Sequence, residues 1–328
     1  MILRLLLWTL GLLASSALAQ TETLPRAVPV DAQAERTSPA RTARAARRSP
    51  TPPPAGQPRP LVALPENWIF QSAASDEFSG TVLDEEKWQS DVPSWGTWSW
   101  DPANVSLGGE RLALRMVHEP HQRARRTLHY KSGVVRSRDR FTYGYFEARI
   151  KGCQVHPGAS PGFWLYSIGE ERGNVRYSEV DIVELLQATG VVNRPSLMDF
   201  NLHARILDRE GKEVILGPTT DPEICANRWR APFDPRRGYH VYSAMVTPKR
   251  IVWFVNGRQV ASQENLHWHL PMHLVLSLAL RAPHVRQVGD KREPVPEKAR
   301  DRGFPTTMEV DYVRVWTPPG PRRTATRQ

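Results

Sequence analysis

Through the middle of this chain apolar and polar residues alternate in short runs, the period of a strand with one buried face rather than the 3.6-residue period of a helix. Val134 to Ser137, Tyr143 to Lys151, Glu179 to Leu185, His240 to Val246, Arg250 to Val255, Leu274 to Leu280 and Met308 to Trp316 are rich in β-branched and aromatic residues. Turn residues bound them, which predicts strands. Asn256-Gly257 joins two of these runs, and this pair favours the positive φ angles of a two-residue hairpin. Sustained helical periodicity is scarce and no internal repeat is visible, so the expected class is all-β, a sandwich rather than an α/β fold.

One strand carries an anomaly. Residues 178–184 read Ser-Glu-Val-Asp-Ile-Val-Glu, three carboxylates in a β-branched stretch. Burying an ionised carboxylate costs several kcal/mol unless it is compensated. On a strand Glu179 and Asp181 share a face and Glu184, five residues on, points away. An extra residue at a β-bulge near Ile182 and Val183 returns Glu184 to the same side. The three acids then face one cleft, with a spacing suited to a retaining glycosidase, whose two working carboxyls stand about 5–5.5 Å apart. A helix would scatter the acids around its axis. A solvated edge strand would leave them in water, but Ile182, Val183, Leu185 and Leu186 argue for burial.

The ends read differently. Arg4, an apolar run from Leu5 to Leu13 and Ala17-Leu18-Ala19 before Gln20 have the layout of a cleaved secretory leader over residues 1–19. No later run reaches the roughly eighteen apolar residues of a membrane span. The expectation is an exported protein, extracellular or periplasmic, without a membrane anchor. Residues 20–60 are rich in Pro, Ala, Arg and Thr with no aromatic residue, the composition of a disordered linker. Residues 318–328 read as a disordered basic tail, which leaves 61–317 as one catalytic-sized domain, expected to act as a monomer.

The net charge of +10 suggests a nucleic-acid partner at first sight. Arg4, seven arginines against three acids in residues 20–60, and three arginines in the tail account for eight of the ten charges. A domain left near neutral makes nucleic acid the weakest expectation. Cys153 and Cys225 are the only cysteines. An exported protein permits a disulfide between them, but sequence separation does not show that they meet. Trp95, Trp98 and Trp100 crowd a loop with Gly, Pro and Ser, and Trp100 among them is a candidate sugar-stacking residue on a partly exposed platform.

Glu179-x-Asp181-x-x-Glu184 resembles the signature of glycoside hydrolase family 16. Further stretches are similar to the κ-carrageenase branch of that family: Ser132-Gly133, Phe141 to Lys151, Gly162-Phe-Trp-Leu-Tyr-Ser167, Asn201-Leu-His203, Trp229-Arg-Ala-Pro-Phe-Asp234, Leu276-Ser-Leu-Ala-Leu-Arg281 and Val310-Asp-Tyr-Val-Arg-Val-Trp316. The likeness runs from about Leu64 to Trp316. It implies a curved, concanavalin-like jelly roll with a concave cleft for a sulfated galactan. It also implies Glu179 as nucleophile, Glu184 as acid/base, Asp181 between them, Trp164 and His203 beside the cleaved unit, and Trp229 and Arg230 near the substrate. Arg281 matches an arginine used for a galactose 4-sulfate, a role suited to a planar, permanently charged fork of donors.

The implied activity is internal hydrolysis of β-1,4 linkages in κ-carrageenan. Departures between Ile168 and Arg176 and between Gln187 and Met198 keep furcellaran or a hybrid galactan as the alternative. The resemblance implies no catalytic metal, but Glu77 and Asp311 match a structural calcium site of some members. His267, His269 and His273 are spaced suggestively, although histidines beside Trp268 and Pro271 read as packing. A jelly roll that binds sugar without cutting it is the reading from another class, and the retained acid triplet argues against it.

Overall fold

The alternating runs pair into two sheets that face each other across one apolar core. The computed structural model describes residues 57–187, 194–288 and 291–319. All belong to the unit Pro50–Gln328; the unit Met1–Ser49 lies outside the described residues, and so do the predicted leader, most of the predicted linker, nearly all of the tail, and part of the departing segment after Gln187. Among the described residues no helix is long and apolar enough to cross a membrane.

One sheet runs Arg258–Glu264, Arg250–Val255, His240–Val246, Gly144–Lys151, Thr306–Thr317, Leu112–Arg123, Arg126–Ser132, Ser99–Trp100. The other runs Glu213–Leu216, Leu202–Leu207, Val175–Glu184, Ala159–Tyr166, Met272–Leu280, Val134–Phe141, Trp88–Gln89. Every run predicted from alternation falls on one of these strands, with Tyr143 and Leu185 each one residue beyond a strand end. Asn256 and Gly257 take φ of 49° and 77° and close the predicted hairpin. Ala159–Tyr166 carries Pro161 and Gly162, residues that usually mark turns, yet it sits mid-sheet between the strand of the acids and Met272–Leu280. Gly162 pairs with Glu184, and a Cβ on it would come 3.3 Å from Ser277 Oγ, so the floor beneath that acid is kept open.

Phe146, Ala148 and Ile150 point inward from the first sheet, and Phe163, Leu165, Val180, Leu274 and Leu276 from the second, all fully buried. Each large apolar side chain buried in this way contributes about 1.5–3 kcal/mol. On the outer face of the first sheet Glu147 is buried as well. It accepts hydrogen bonds from Tyr145 at 2.7 Å, Tyr312 at 3.2 Å and the backbone N–H of Leu61 at 3.2 Å, so the domain's folded edge reaches at least to Leu61. Cys153 and Cys225 are buried free thiols.

Glu77 and Asp311 each face a guanidinium. Arg314 donates to both oxygens of Glu77 at 2.8 and 2.9 Å, and Arg149 pairs with Asp311 at 2.5 Å.

The two sheets are joined by a polar contact at a telling place. Trp253, fully buried on the first sheet, donates from Nε1 to the carbonyl of Asp181 at 2.8 Å. That carbonyl belongs to the stretch where strand pairing is interrupted, so the indole supplies a donor there. Trp253→Phe should lower unfolding free energy by about 1–3 kcal/mol, the cost of a buried acceptor left without its donor. Urea unfolding measures the loss, and an unchanged midpoint would contradict the role given to this bond.

Candidate active site

The acids come together through the register of one strand. Val175–Glu184 pairs with Ala159–Tyr166 as Asp181 opposite Trp164 and Val183 opposite Phe163, so Ile182 is the extra residue. Val180, Ile182 and Val183 are all fully buried in the core, while Glu179, Asp181 and Glu184 line the cleft on the other face. Leu202–Leu207 runs alongside, setting His203 opposite Glu179.

His203 Nε2 stands 3.4 Å from Asp181 Oδ2 and 3.7 Å from Glu179 Oε1. Its backbone is held by Trp268 Nε1, which donates to its carbonyl at 3.0 Å. Gly217 packs so closely that a Cβ would lie 3.1 Å from the ring's Nδ1. Tyr177 donates its hydroxyl to Glu179 Oε2. Arg281 forms an ion pair with Glu184 Oε1, and Asn201 Nδ2 donates to Glu184 Oε2 at 3.3 Å. Asp199, paired in register with Glu184, is held by two hydrogen bonds from Arg228 at 2.6 and 2.7 Å.

These contacts separate the three acids electrostatically. Burial, with the nearby charge of Glu184, pushes Asp181 up to about 7. Burial also pulls Glu184 upward, but the guanidiniums of Arg281 and Arg292 outweigh it and hold that carboxyl below the usual carboxylate range. For His203 burial works against the charge, yet Glu179, Asp181 and Glu184 raise it to about 9. Glu179, Asp181 and His203 are the one group of three candidate metal-ligating residues among the described residues. The carboxylates raise the proton affinity of the imidazole, and a protonated ring adds a cation to the cluster. The cluster can hold one neutral acid beside charged carboxylates, the division of labour that acid–base chemistry requires.

Trp164 lies in the cleft floor, its Nε1 bonded to Ser277 Oγ at 3.1 Å and its ring stacked on Tyr166 at 4.8 Å. Of the tryptophan loop only Trp95 is exposed, at 39%, and it approaches Trp164 and Tyr166 at 6.4 and 6.3 Å. Trp98 and Trp100 also border the cleft but are buried there and pack edge-on at 5.2 Å, and Trp100 backs Trp95 at 5.3 Å. Burial of flat, apolar rings won over the Gly and Pro content of the loop. Trp229 and Arg230 stand outside the residues that line the cleft. Trp229 packs on Phe233 and Arg230 is exposed, while Arg228 of the same strand reaches Asp199 beside Glu184. His269 meets the Tyr143 hydroxyl and His273 the Ser137 carbonyl, and burial pushes His273 down to about 4.

Sequence reasoning assigned no role to Tyr177, Asn201, Ser277 or Arg292. Asn201 and Ser277 lie inside stretches quoted for their resemblance and Tyr177 two residues before the acids, but ordinary polar residues in a strand carry no chemical signal of their own. Arg292 lies in a Lys-Arg-Glu-Pro stretch that reads as surface.

The cleft has a volume of about 3370 Å³, well above the range of about 300–1,000 Å³ for small-molecule pockets. The family described as "Beta-porphyranase A-D, GH16 domain" matches residues 68–318. The κ-carrageenase of Pseudoalteromonas carrageenovora is 41% identical over 81% of this chain and 69% of its own. The crystal structure of that enzyme with an oligotetrasaccharide of κ-carrageenan superposes with a TM-score of 0.73 at 39% identity, covering 79% of this chain and 98% of that one. The κ-carrageenase zobellia_236 of Zobellia galactanivorans also gives 0.73, at 34% identity over 80% and 100% of the two chains.

The electrostatics fix a pH signature. A raised His203 contributes stability that is fully present below about 6.5 and lost as pH rises through about 9. Raised Asp181 acts with the same sign, its contribution present below 3.8 and lost as pH rises through about 7. Unfolding free energy should therefore fall from neutral pH towards pH 9, and His203→Gln should flatten that fall, as urea titrations at successive pH values would record.

Proposed function

The chain is a member of glycoside hydrolase family 16, and from that membership we propose that it hydrolyses κ-carrageenan internally at β-1,4 linkages with retention of configuration. The observation that carries the substrate class is the set of arginines in the cleft, which stand there among carboxylates. Arg136, Arg140, Arg176, Arg205, Arg281 and Arg292 line the groove that holds the acids. Guanidiniums at such density suit a polymer that carries fixed anions. The relatives agree in kind: a 1,3-α-1,4-β-D-galactose-4-sulfate-3,6-anhydro-D-galactose 4 galactohydrolase is 39% identical, with a TM-score of 0.74. Porphyranase B of Zobellia galactanivorans, by comparison, is 26% identical over 59% of this chain.

In the proposed reaction Glu179 attacks the anomeric carbon and forms a glycosyl-enzyme. Glu184 gives its proton to the leaving oxygen and then takes one from the attacking water. Tyr177 occupies one oxygen of Glu179 and leaves the other, on the His203 side, to attack. Asp181, with its raised proton affinity, lies between the two glutamates and moderates their repulsion. Trp95 and Trp164 offer aromatic surface to sugar rings, with Tyr166 packed against both. Arg281 reads a sulfate. Export is proposed from the residue pattern of 1–19 alone, and N-terminal sequencing of protein recovered outside the cells checks it.

Purified protein assayed in parallel on κ-carrageenan, furcellaran, porphyran, agarose and laminarin should cut κ-carrageenan best and release sulfated oligosaccharides of even length. Preference for agarose or laminarin would overturn the sulfate reading, and action on furcellaran alone would move the assignment to that polymer. Glu179→Gln should abolish turnover, and Glu184→Ala should slow it severely with partial rescue by azide on substrates with good leaving groups. NMR of the first product should show the retained anomer; an inverted one would sink the mechanism.

A further inference from the structure

Glu184 has to carry a proton to the leaving oxygen, yet its surroundings keep it charged. From its own strand Asp181 faces it, and from Leu202–Leu207 His203. Asp199 sits across from it in register, tied to Arg228, and Asn201 donates to one of its oxygens. Arg281, which follows Met272–Leu280, forms an ion pair with the other oxygen. Arg292 comes from a separate hairpin, Val285–Val288 with Lys291–Pro294, which contributes Gln287 and Arg292 as cross-strand partners to the same cleft. Arg292 has no ion-pair partner among the described residues, and it stands close enough to Arg281 for that charge to be the largest influence lowering its own proton affinity.

Two cations therefore converge on one carboxylate. We propose that a sulfate of the bound galactan takes Arg281 away from Glu184, with Arg292 as the second cation that draws the sulfate in, and that this exchange is what allows Glu184 to take up the proton it later donates. The inference rests on the sulfated-galactan reading given above and goes beyond it: the sulfate becomes a condition for arming the acid as well as a handle for binding.

The exchange has a physical direction. A sulfate ester stays ionised throughout the neutral range and offers a guanidinium a full anion with paired oxygens, whereas a carboxylate can surrender its charge by protonation. Once Arg281 has turned to the sulfate, burial acts on Glu184 with less opposition and favours its neutral form. The balance is simple. The Arg281–Glu184 ion pair breaks, an Arg281–sulfate pair forms, and Glu184 takes one proton from solvent. That proton passes to the glycosidic oxygen as its bond to the anomeric carbon breaks and Glu179 bonds to the same carbon. A galactan without the sulfate would occupy the cleft with Glu184 still charged, so it would be penalised in kcat as well as in KM.

The test is the proton affinity of Glu184 with and without the anion. In Glu179→Gln protein labelled with carbon-13 at the glutamate carboxyl, the Glu184 resonance is assigned by its loss in the Glu179→Gln, Glu184→Gln double variant. It is then titrated in free protein, with a κ-carrageenan hexasaccharide, and with the same hexasaccharide desulfated. The sulfated ligand should tighten proton binding at Glu184 roughly tenfold or more, and the desulfated ligand should not. Equal effects of the two, or none with the sulfated ligand bound, overturn the inference and leave the substrate assignment intact. Failure to bind the sulfated ligand overturns both.

The wild-type enzyme gives a second reading. With the sulfated substrate the basic limb of kcat, which reports the complex, should lie above that of kcat/KM, which reports the free enzyme. Coincident limbs, with chemistry rate-limiting, count against the exchange. Arg292→Gln should reduce kcat/KM by about tenfold on the sulfated substrate and by less on the desulfated one, and an equal loss on both would remove Arg292 from the proposal.

Discussion

A single extra residue, Ile182, governs the arrangement of the site. An uninterrupted strand would bury Glu184 in the apolar core and expose Val183 to the cleft, and both errors are costly, one in desolvation of a charge and the other in lost apolar burial. The bulge removes them together. Its backbone cost is limited by the indole of Trp253, which crosses from the opposite sheet to the Asp181 carbonyl. The catalytic face thus depends on the packing of both sheets, although all three acids lie on one of them.

Once the acids share a face, the cleft has to manage their repulsion. It does so with unlike neighbours for like groups. Tyr177 supplies a hydroxyl to Glu179, His203 supplies charge to Glu179 and Asp181, and Arg281 with Asn201 attends to Glu184. The result is one acid pushed up and one held down within a few residues, and a histidine that owes its charge to the carboxylates around it. Three chemically similar groups acquire different duties because their neighbours differ, and those neighbours come from three separate stretches of chain.

The same frame accommodates other substrates. A non-specific endo-β-1,3(4)-glucanase of the family superposes with a TM-score of 0.59 at 22% identity, a likeness of fold alone. On its frame this chain carries the arginines of the cleft and a small hairpin that holds Arg292 near Arg281. Specificity lodged in side chains and a short appended hairpin can change while the sandwich and its bulged strand stay as they are.

Much of this was legible in the residues. Alternation located the strands because a half-buried strand must alternate, and three acids among β-branched residues required a ligand or a reaction because nothing else compensates their burial. The spacing of Glu184 from Glu179 even called for a bulge and located it within two residues. Other features had no local signal. Ala159–Tyr166 is a central strand despite Pro161 and Gly162, since its neighbours on both sides impose the pairing. Trp98 and Trp100 go inward and Trp95 outward from one loop of similar composition, and Arg228 rather than Arg230 reaches the acids. Glu184's partner was beyond reach of the sequence too: resemblance matched Arg281 to a sulfate-binding arginine, but nothing marked it as the ion-pair partner of an acid 97 positions away. Periodicity and charge are properties of a segment and survive in the sequence alone. Which charges meet is decided by the pairing of distant strands, and therefore only by the folded chain.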